Sequence, residues 1–311
     1  MQHQDMIKNQ MVMLILYACS LHAQIYQFHL SDRWYPSNKK KLHKALNVLG
    51  QQDNKYANYD FSHKNVVAFI VPDAAYEYSG ALAVHLFKQL SGNSFDRIII
   101  LGSSNDPTFR GIALPGLAYK AYKTPLGIIN LDQAILSVLA KKKTIFFPQH
   151  EMHELEHTIE VQLPLVQHYC NACKIIPMIV GSLTMSEIDQ TCDYLKPYIT
   201  NKTLVIVSSD LVQCSQNSYK ASLLGDMAHV IEDIDNQLIE KIKQQDLQEF
   251  LRTIDHQNIV VRGKNALSVL LRLMQKKIIN VQNSFVLGHE YCYMQQGNVQ
   301  HCVSYVGMIM T

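Results

Sequence analysis

Four apolar runs of strand length constrain this chain more than any other feature: "VVAFIV" (66–71), "RIIIL" (97–101), "KIIPMIV" (174–180) and "TLVIVSS" (203–209). Each is rich in Ile and Val and barely alternates, the pattern of strands covered on both faces. Helical patterns fall between and after them, at 79–90, 131–142, 157–169, 184–197 and 217–246. Strand and helix alternating in this way imply an α/β fold built on a mostly parallel sheet flanked by helices. The tail from Ser284 to Met310 reads as a hairpin turning near Gly297. No repeat, low-complexity tract or linker divides residues 25–311, so a single domain is expected there.

In open α/β sheets the ligand groups gather at the carboxyl ends of strands. Those ends read "VPDAAY" (71–76), "LGSSND" (101–106) and "VSSDLVQC" (207–214), three polar turns that can converge on one cleft. They carry Asp73, Asn105, Asp106, Asp210 and Gln213. A cluster of Asp73, Asp106 and Asp210 would suit Mg²⁺ or Mn²⁺, which take oxygen ligands. The alternative is that each aspartate caps a helix or accepts bonds from turn amides. The serine pairs Ser103-Ser104 and Ser208-Ser209 lack a G-x-S-x-G context, which argues against a hydrolase nucleophile.

A fourth polar segment, "QHEMHELEH" (149–157), contains His153-Glu154-Leu155-Glu156-His157. This satisfies H-E-x-x-H, which on one helix places two histidines for Zn²⁺ and a glutamate beside them. The charged Glu156 at the second variable position weighs against it. So does Pro164, which either interrupts a helix running on from His157 or delays its start. Three readings of His157 and Glu160 stay open: buried polar groups satisfied within helix–sheet packing, a reactive pair with His157 as general base near Asp210, or the lining of a ligand cleft.

Composition excludes some classes. The 311 residues are 48% hydrophobic and 17% charged, which suits a large core, and a net charge of +2 supplies no field for nucleic acid. Lys39–Lys41 and Lys141–Lys143 read as solvated helix or loop ends. At the N-terminus, "MQHQDMIKNQ" is followed by the apolar "MVMLILYAC" and then by "SLHAQ". That is the order of a secretory signal over residues 1–23, with cleavage after Ala23 and a mature domain over 25–311. "LYAC" also resembles a lipobox, in which Cys19 would anchor the chain to a membrane; the alternative is a short apolar element packed on the domain of a cytoplasmic protein.

Beyond the signal lie six cysteines. Cys292 and Cys302 stand equidistant from Gly297, so a hairpin would set them opposite each other for a cross-strand disulfide. "CNAC" (170–173) follows a helix and precedes a strand, the reverse of a thioredoxin-type order, and reads as a loop feature.

Read in order, these segments resemble the Memo family, which includes the proteins called AmmeMemoRadiSam system protein B. The resemblance runs from "DRWYP" (32–36) to "SYVGM" (304–308), and its most specific piece is "EHTIEVQLPLVQ" (156–167). "IIPMIVGSL" (175–183), "VSSDL" (207–211) and, in spacing, "RGKNALSVLL" (262–271) also follow the family. The resemblance implies a fold similar to that of class III extradiol dioxygenases and a pocket lined by metal-binding histidines. This sequence departs at those positions. Asp73 stands where V-P-H-A-G-Y has histidine, Asn105 and Asp106 fill the two histidines of L-G-P-x-H-H, and Gln213 replaces the histidine of S-S-D-x-x-H. Arg262 replaces a late cysteine. His157 and Glu160 are kept.

A guanidinium in place of a thiolate opposes a divalent cation by Coulomb repulsion, and it matches a carboxylate with two parallel bonds. The expectation is a salt bridge from Arg262 to Asp73 or Asp106 in the old metal position, no cofactor, and a binding or accessory role toward a small ligand or a protein. The alternative is a metal-dependent enzyme, hydrolase or dioxygenase-like, using Asp73, Asp106 and Asp210 or His153 and His157.

Overall fold

The computed structural model describes residues 24–311 apart from 29, 53–54, 58, 60, 62–63, 91–92, 171, 216–226 and 297–298. The expected signal at 1–23, with Cys19, and the hairpin turn at Gly297 lie outside the described residues.

In chain order the elements are β1 (Gln24–Gln27), α1 (Lys39–Leu49), β2 (Ala68–Val71), α2 (Tyr76–Lys88), β3 (Arg97–Ser103), β4 (Ile112–Leu114), β5 (Tyr119–Thr124), β6 (Gly127–Asn130), α3 (Gln133–Leu139), β7 (Phe146–Pro148) and α4 (His150–Leu155). There follow α5 (Leu163–Tyr169), β8 (Lys174–Val180), α6 (Met185–Leu195), β9 (Thr203–Ser208), β10 (Val212–Ser215), α7 (Met227–Lys243), α8 (Leu247–Gln257), β11 (Val260–Val261), α9 (Lys264–Gln275), β12 (Ser284–Gln296) and β13 (Val299–Met310).

Ten strands form one mixed sheet in the order β11-β10-β13-β2-β9-β3-β8-β4-β7, with β12 paired to β13; β1, β5 and β6 make a small second sheet. The four apolar runs are its centre. β2, β9, β3 and β8 lie parallel to one another, and every residue of β2 and β9 is buried, as strands covered on both faces require. Outward from that centre, β13 joins β2 and β4 joins β8 antiparallel. α2 packs on β2, β12 and β13 with α1 and α5 beside it, while α9 packs on β3, β8 and β9 with α6 and α8 beside it. The fold is a single mixed α/β domain with a parallel core; β13 and β4 join that core antiparallel, and the edge strand β7 runs parallel to β4.

Local rules set the helix ends that matter below. The side chain of Asn38 accepts from the amides of Lys40 and Lys41 and starts α1. Pro164 sits in the first turn of α5, where its missing N–H costs nothing; the helix begins late, after a single 3₁₀ turn at Glu160–Gln162.

The hairpin does not bring Cys292 to Cys302. Gln296 pairs with Val299, so the hairpin axis falls half a residue beyond Gly297, and Cys292 faces Val303 while Cys302 faces Tyr293. With a side-chain period of two, that half-residue offset puts the two thiols on opposite faces of the hairpin. Among the described residues no two of the six cysteines are joined in a disulfide.

Candidate functional site

The carboxyl ends of β2, β3 and β9 do converge. Their turns are held from below by Gln162, whose Nε2 donates to the Pro72 carbonyl and to Ser208 Oγ, both at 2.9 Å. Two glycines allow close approaches there. A Cβ on Gly102 would lie 2.2 Å from Thr158 Oγ1, so the 156–160 segment can cross β3. A Cβ on Gly263 would lie 1.6 Å from Ser209 Oγ, so the start of α9 can touch the end of β9. Gly263 is the N-cap of α9 and has no side chain to offer; Ser103 Oγ supplies the missing acceptor, taking the Ala266 amide at 3.2 Å.

Above these turns opens a cavity of about 370 Å³, lined among others by Arg33, Trp34, His157, Asp210, Gln213 and Arg262. Asp210 lines this cavity, and Asp73 is buried against it. Asp73 and Asp210 are 4% and 7% exposed, and the Asp73 amide donates to Asp210 Oδ1 at 3.2 Å. Burial pushes both carboxyls up: Asp73 is partly offset by His157, by its hydrogen bond to Asp210 and by Arg262, whereas Asp210 is raised further by the charge of Asp73. Two buried carboxyls this close oppose each other's ionisation, and Asp210 bears the larger part of that opposition. His157 Nε2 lies 4.0 Å from Asp73 Oδ1. Burial lowers the pKa of this imidazole against the pull of Asp73, and Trp34 stacks on it at 4.0 Å and 17°.

The rim is a second network. Arg262 Nε donates to Gln213 Oε1, and Arg262 Nη1 donates to Asn105 Oδ1 at 2.8 Å. Asn105 is held in turn by Glu156, whose Oε2 accepts the Asn105 amide side chain at 2.7 Å and whose Oε1 accepts the Asn105 backbone N–H at 2.6 Å and Ser104 Oγ at 2.9 Å. Glu156 is 4% exposed. The expected direct bridge from Arg262 to Asp73 or Asp106 is therefore replaced by an amide relay that ends on Glu156. The guanidinium meets two amide oxygens, and its charge acts on Asp73 and Asp210 without a direct bond to either.

Asp106 stands apart. It is exposed, and its Oδ1 accepts from Thr108 N and Oγ1 at 2.8 and 2.7 Å, bonds that hold its pKa below the ordinary range. It is a turn residue, so the triple-aspartate site does not assemble. The H-E-x-x-H pattern does not assemble either. α4 ends at Leu155, Glu156 is extended (φ −99°, ψ 135°), and His157 lies off that helix. His153 is buried beside His150 and Tyr122, away from His157, its Nε2 against the Ala113 carbonyl at 3.2 Å, and burial drops it to about 3. Among the described residues no group of three or more His, Cys, Asp or Glu is placed to hold a metal ion.

Glu160 and His157 part company. Glu160 Oε1 accepts Tyr35 OH at 2.5 Å and the Leu30 amide at 3.0 Å, so it fastens the N-terminal segment to the domain. His157 faces the cavity. Sequence reasoning missed Glu156, dismissed as a flaw in a zinc pattern, and missed Arg33 and Trp34. The signals were a charge inside the motif most like a known family, and the only tryptophan of the chain within "DRWYP".

A mixed α/β domain with a strand-end pocket walled by Trp34 and His157 and rimmed by Arg262 defines the class. The family model described as Memo-like protein matches residues 29–309, and the chain belongs to that family. A MEMO1 family protein of Saccharolobus islandicus is 28% identical over 262 residues, 79% of this chain and 86% of its own. One from Thermoplasma volcanium is 26% identical over 270 residues, 83% of this chain and 91% of its own, and protein MEMO1 of Xenopus laevis is 27% identical over 264 residues, covering 81% and 86%. Among solved structures, an uncharacterized protein from Escherichia coli K12 superposes with a TM-score of 0.41 at 11% identity, over 79% of this chain and all of its own, too distant a likeness to bear on the site.

Proposed function

We propose that this Memo-family chain is a binding protein, not a metalloenzyme, and that its pocket takes a small carboxylate ligand. The observation that carries the reading is the fixed guanidinium at the rim: Arg262 is oriented by Gln213 and Asn105 with no carboxylate directly on it. Arg33, on the same cavity, has no ion-pair partner among the described residues. Ala74 and Ala75 also line the cavity at the start of α2, where the Tyr76 amide donates to the Trp34 carbonyl and Glu77 brings one carboxylate to the same cavity, opposite in sign to Arg33 and Arg262. Trp34 and His157 give a flat wall for an apolar or aromatic body.

The donor set supports the metal-independent half of the reading. Iron, copper and zinc are served by imidazole, thiolate and carboxylate together. Here the family's metal positions hold amides, a guanidinium, a buried carboxyl, and an aspartate facing solvent. The meeting of Asp73 with Asp210 favours a second reading, a hard-metal enzyme site for Mg²⁺ or Mn²⁺ on these two carboxyls. In that case the ion has to coexist with Arg262.

Calorimetric titration of the full chain with benzoate, alongside metal analysis of untagged protein, tests both. The expected result is benzoate binding that weakens at least tenfold in Arg262→Gln, in protein free of stoichiometric transition metal. Near-stoichiometric iron, copper or zinc, or Mg²⁺ binding lost in Asp73→Asn, overturns it. Export through residues 1–23 belongs to the same reading of an accessory protein. N-terminal sequencing of envelope material is expected to start at Gln24, and an intact Met1 in the cytosol overturns it.

A further inference from the structure

The cysteine that faces Cys302 is not on the hairpin but on the other neighbour of β13. In the β10·β13 ladder Cys214 pairs directly with Cys302. Directly opposite residues of an antiparallel pair project from the same face, with Cα atoms about 4.5–5.5 Å apart, inside the window of roughly 4.4–6.8 Å that a disulfide spans. The two thiols are in hydrogen-bonding contact, and both are buried, at 5% and 0% exposed.

We propose that Cys214 and Cys302 are a disulfide site, closed by thiol–disulfide exchange with a low-molecular-weight disulfide or a disulfide-exchange protein. Cys214 attacks one sulfur of the external disulfide as a thiolate, forming a mixed disulfide and expelling the other half as a thiolate. Cys302 then loses its proton, attacks the Cys214 sulfur and releases the second external thiol. Two protein thiols become one S–S bond, and the external disulfide is reduced to two thiols.

The order of attack follows from the local bonds. The Cys302 thiol and backbone N–H both donate toward Cys214 and hold its thiol below the ordinary range, whereas the same contact and burial push Cys302 up. Cys214 is 5% exposed and lies one residue from the end of β10 at Ser215, so its attack on an external disulfide proceeds by local opening at that strand end. No other described pair competes. Cys292 faces Val303, Cys192 is in the core against the Val269 carbonyl, and burial raises Cys170 and Cys173. The bond would tie the short strand that carries Gln213, the partner of Arg262, to the long strand β13. It does not depend on the nature of the pocket ligand.

The test is oxidation of the folded full chain with oxidised glutathione, alkylation of the remaining thiols, and peptide mass spectrometry. The expected product is a cross-link between the Cys214 and Cys302 peptides that persists in Cys292→Ser and disappears on reduction. In Cys302→Ser, Cys214 is expected to stop as a mixed disulfide with glutathione. A cross-link from Cys302 to Cys292, or both Cys214 and Cys302 recovered alkylated from folded wild-type protein, overturns the proposal; because the decisive readout is on wild type, a variant that fails to fold does not remove the test.

Discussion

Gly263→Ala is the substitution that probes most directly how the rim of the pocket is joined to its floor. Gly263 has φ −77° and ψ 5°, a conformation open to any residue, so the need for glycine there is spatial. An added Cβ would lie 1.6 Å from Ser209 Oγ and 2.3 Å from Ser209 Cβ. Rotating the serine hydroxyl away relieves the first contact and leaves the second. The serine backbone cannot retreat freely, because its N–H donates to the Val71 carbonyl at 2.8 Å within the end of the parallel sheet. The clash therefore falls on backbone placement, and the expected cost is about 3 kcal/mol, the upper part of the overpacking range.

The cure is equally specific. In a Ser209→Gly background the nearest remaining atom is the residue 209 Cα at 3.4 Å, an ordinary contact. Adding Gly263→Ala there should cost only what alanine costs at an N-cap, roughly 0.5–1 kcal/mol. Ser209→Gly alone gives up the hydroxyl bond to the Asp210 carbonyl and gains backbone freedom, together about 1–2 kcal/mol. A double-mutant cycle by urea denaturation should then return a favourable coupling of about 2 kcal/mol, and benzoate affinity should fall in Gly263→Ala and recover in the pair. A coupling below about 0.5 kcal/mol, within the additivity expected of independent sites, refutes the packing of α9 on β9 and with it the fixed position of Arg262.

Two further outcomes follow from buried acids. Asp73 and Asp210 have pKa values raised on folding, so the folded state binds the extra proton; that stability is fully present below the unfolded carboxyl value and is lost as pH rises through the folded values. Asp210→Asn keeps the Oδ1 acceptor for the Asp73 amide and removes the titrating group, so its stability relative to wild type should grow as pH rises above the unfolded carboxyl value of about 4, by about 1.36 kcal/mol per unit of lost shift; parallel curves from denaturation at several pH values would refute the raised pair. Tyr35→Phe removes the 2.5 Å donor to Glu160 Oε1, with both side chains buried. Its expected cost is about 1–3 kcal/mol in thermal or chemical denaturation, and a loss under about 0.5 kcal/mol would show that Glu160 does not need that bond.

What the sequence disclosed, and what it hid, divides along physical lines. β2, β3, β8 and β9 were legible because a parallel strand buried on both faces must be apolar throughout. β4, β7, β10 and β11 were not, since strands of two to four residues are too short to show any period. The three strand-end turns were legible as a converging set because topology, not side-chain chemistry, brings them together. Which of their residues face inward was not. Asp73 turns in and Asp106 turns out, a difference set by the Thr108 bonds that capture Asp106 in its own turn. The cysteine pairing failed by half a residue. Equidistance from a glycine assumes a turn centred on that glycine, and the true partner of Cys302 came from a strand too short to have been recognised.

The positions at which the family resemblance implies metal ligands gain a physical sense, on the proposed reading, from the two networks. Asn105, Gln213 and Arg262 are not three independent losses. Arg262 is held by the oxygens of the other two, and Asn105 is oriented by Glu156 through its backbone and side chain at once. A single return to the family residue at any of these positions strands its partners: without Arg262, Gln213 Oε1 and Asn105 Oδ1 lose the donor that orients them. With Arg262 in place, an imidazole at Gln213 or Asn105 would face a guanidinium where a metal should sit. The floor is bound by the same logic, since the Asp73 amide bonds Asp210 and the charge of Asp73 opposes the ionisation of Asp210. On the proposed reading, the pocket is a binding site built from its own set of mutually dependent partners, and a change at one of them is felt by the others.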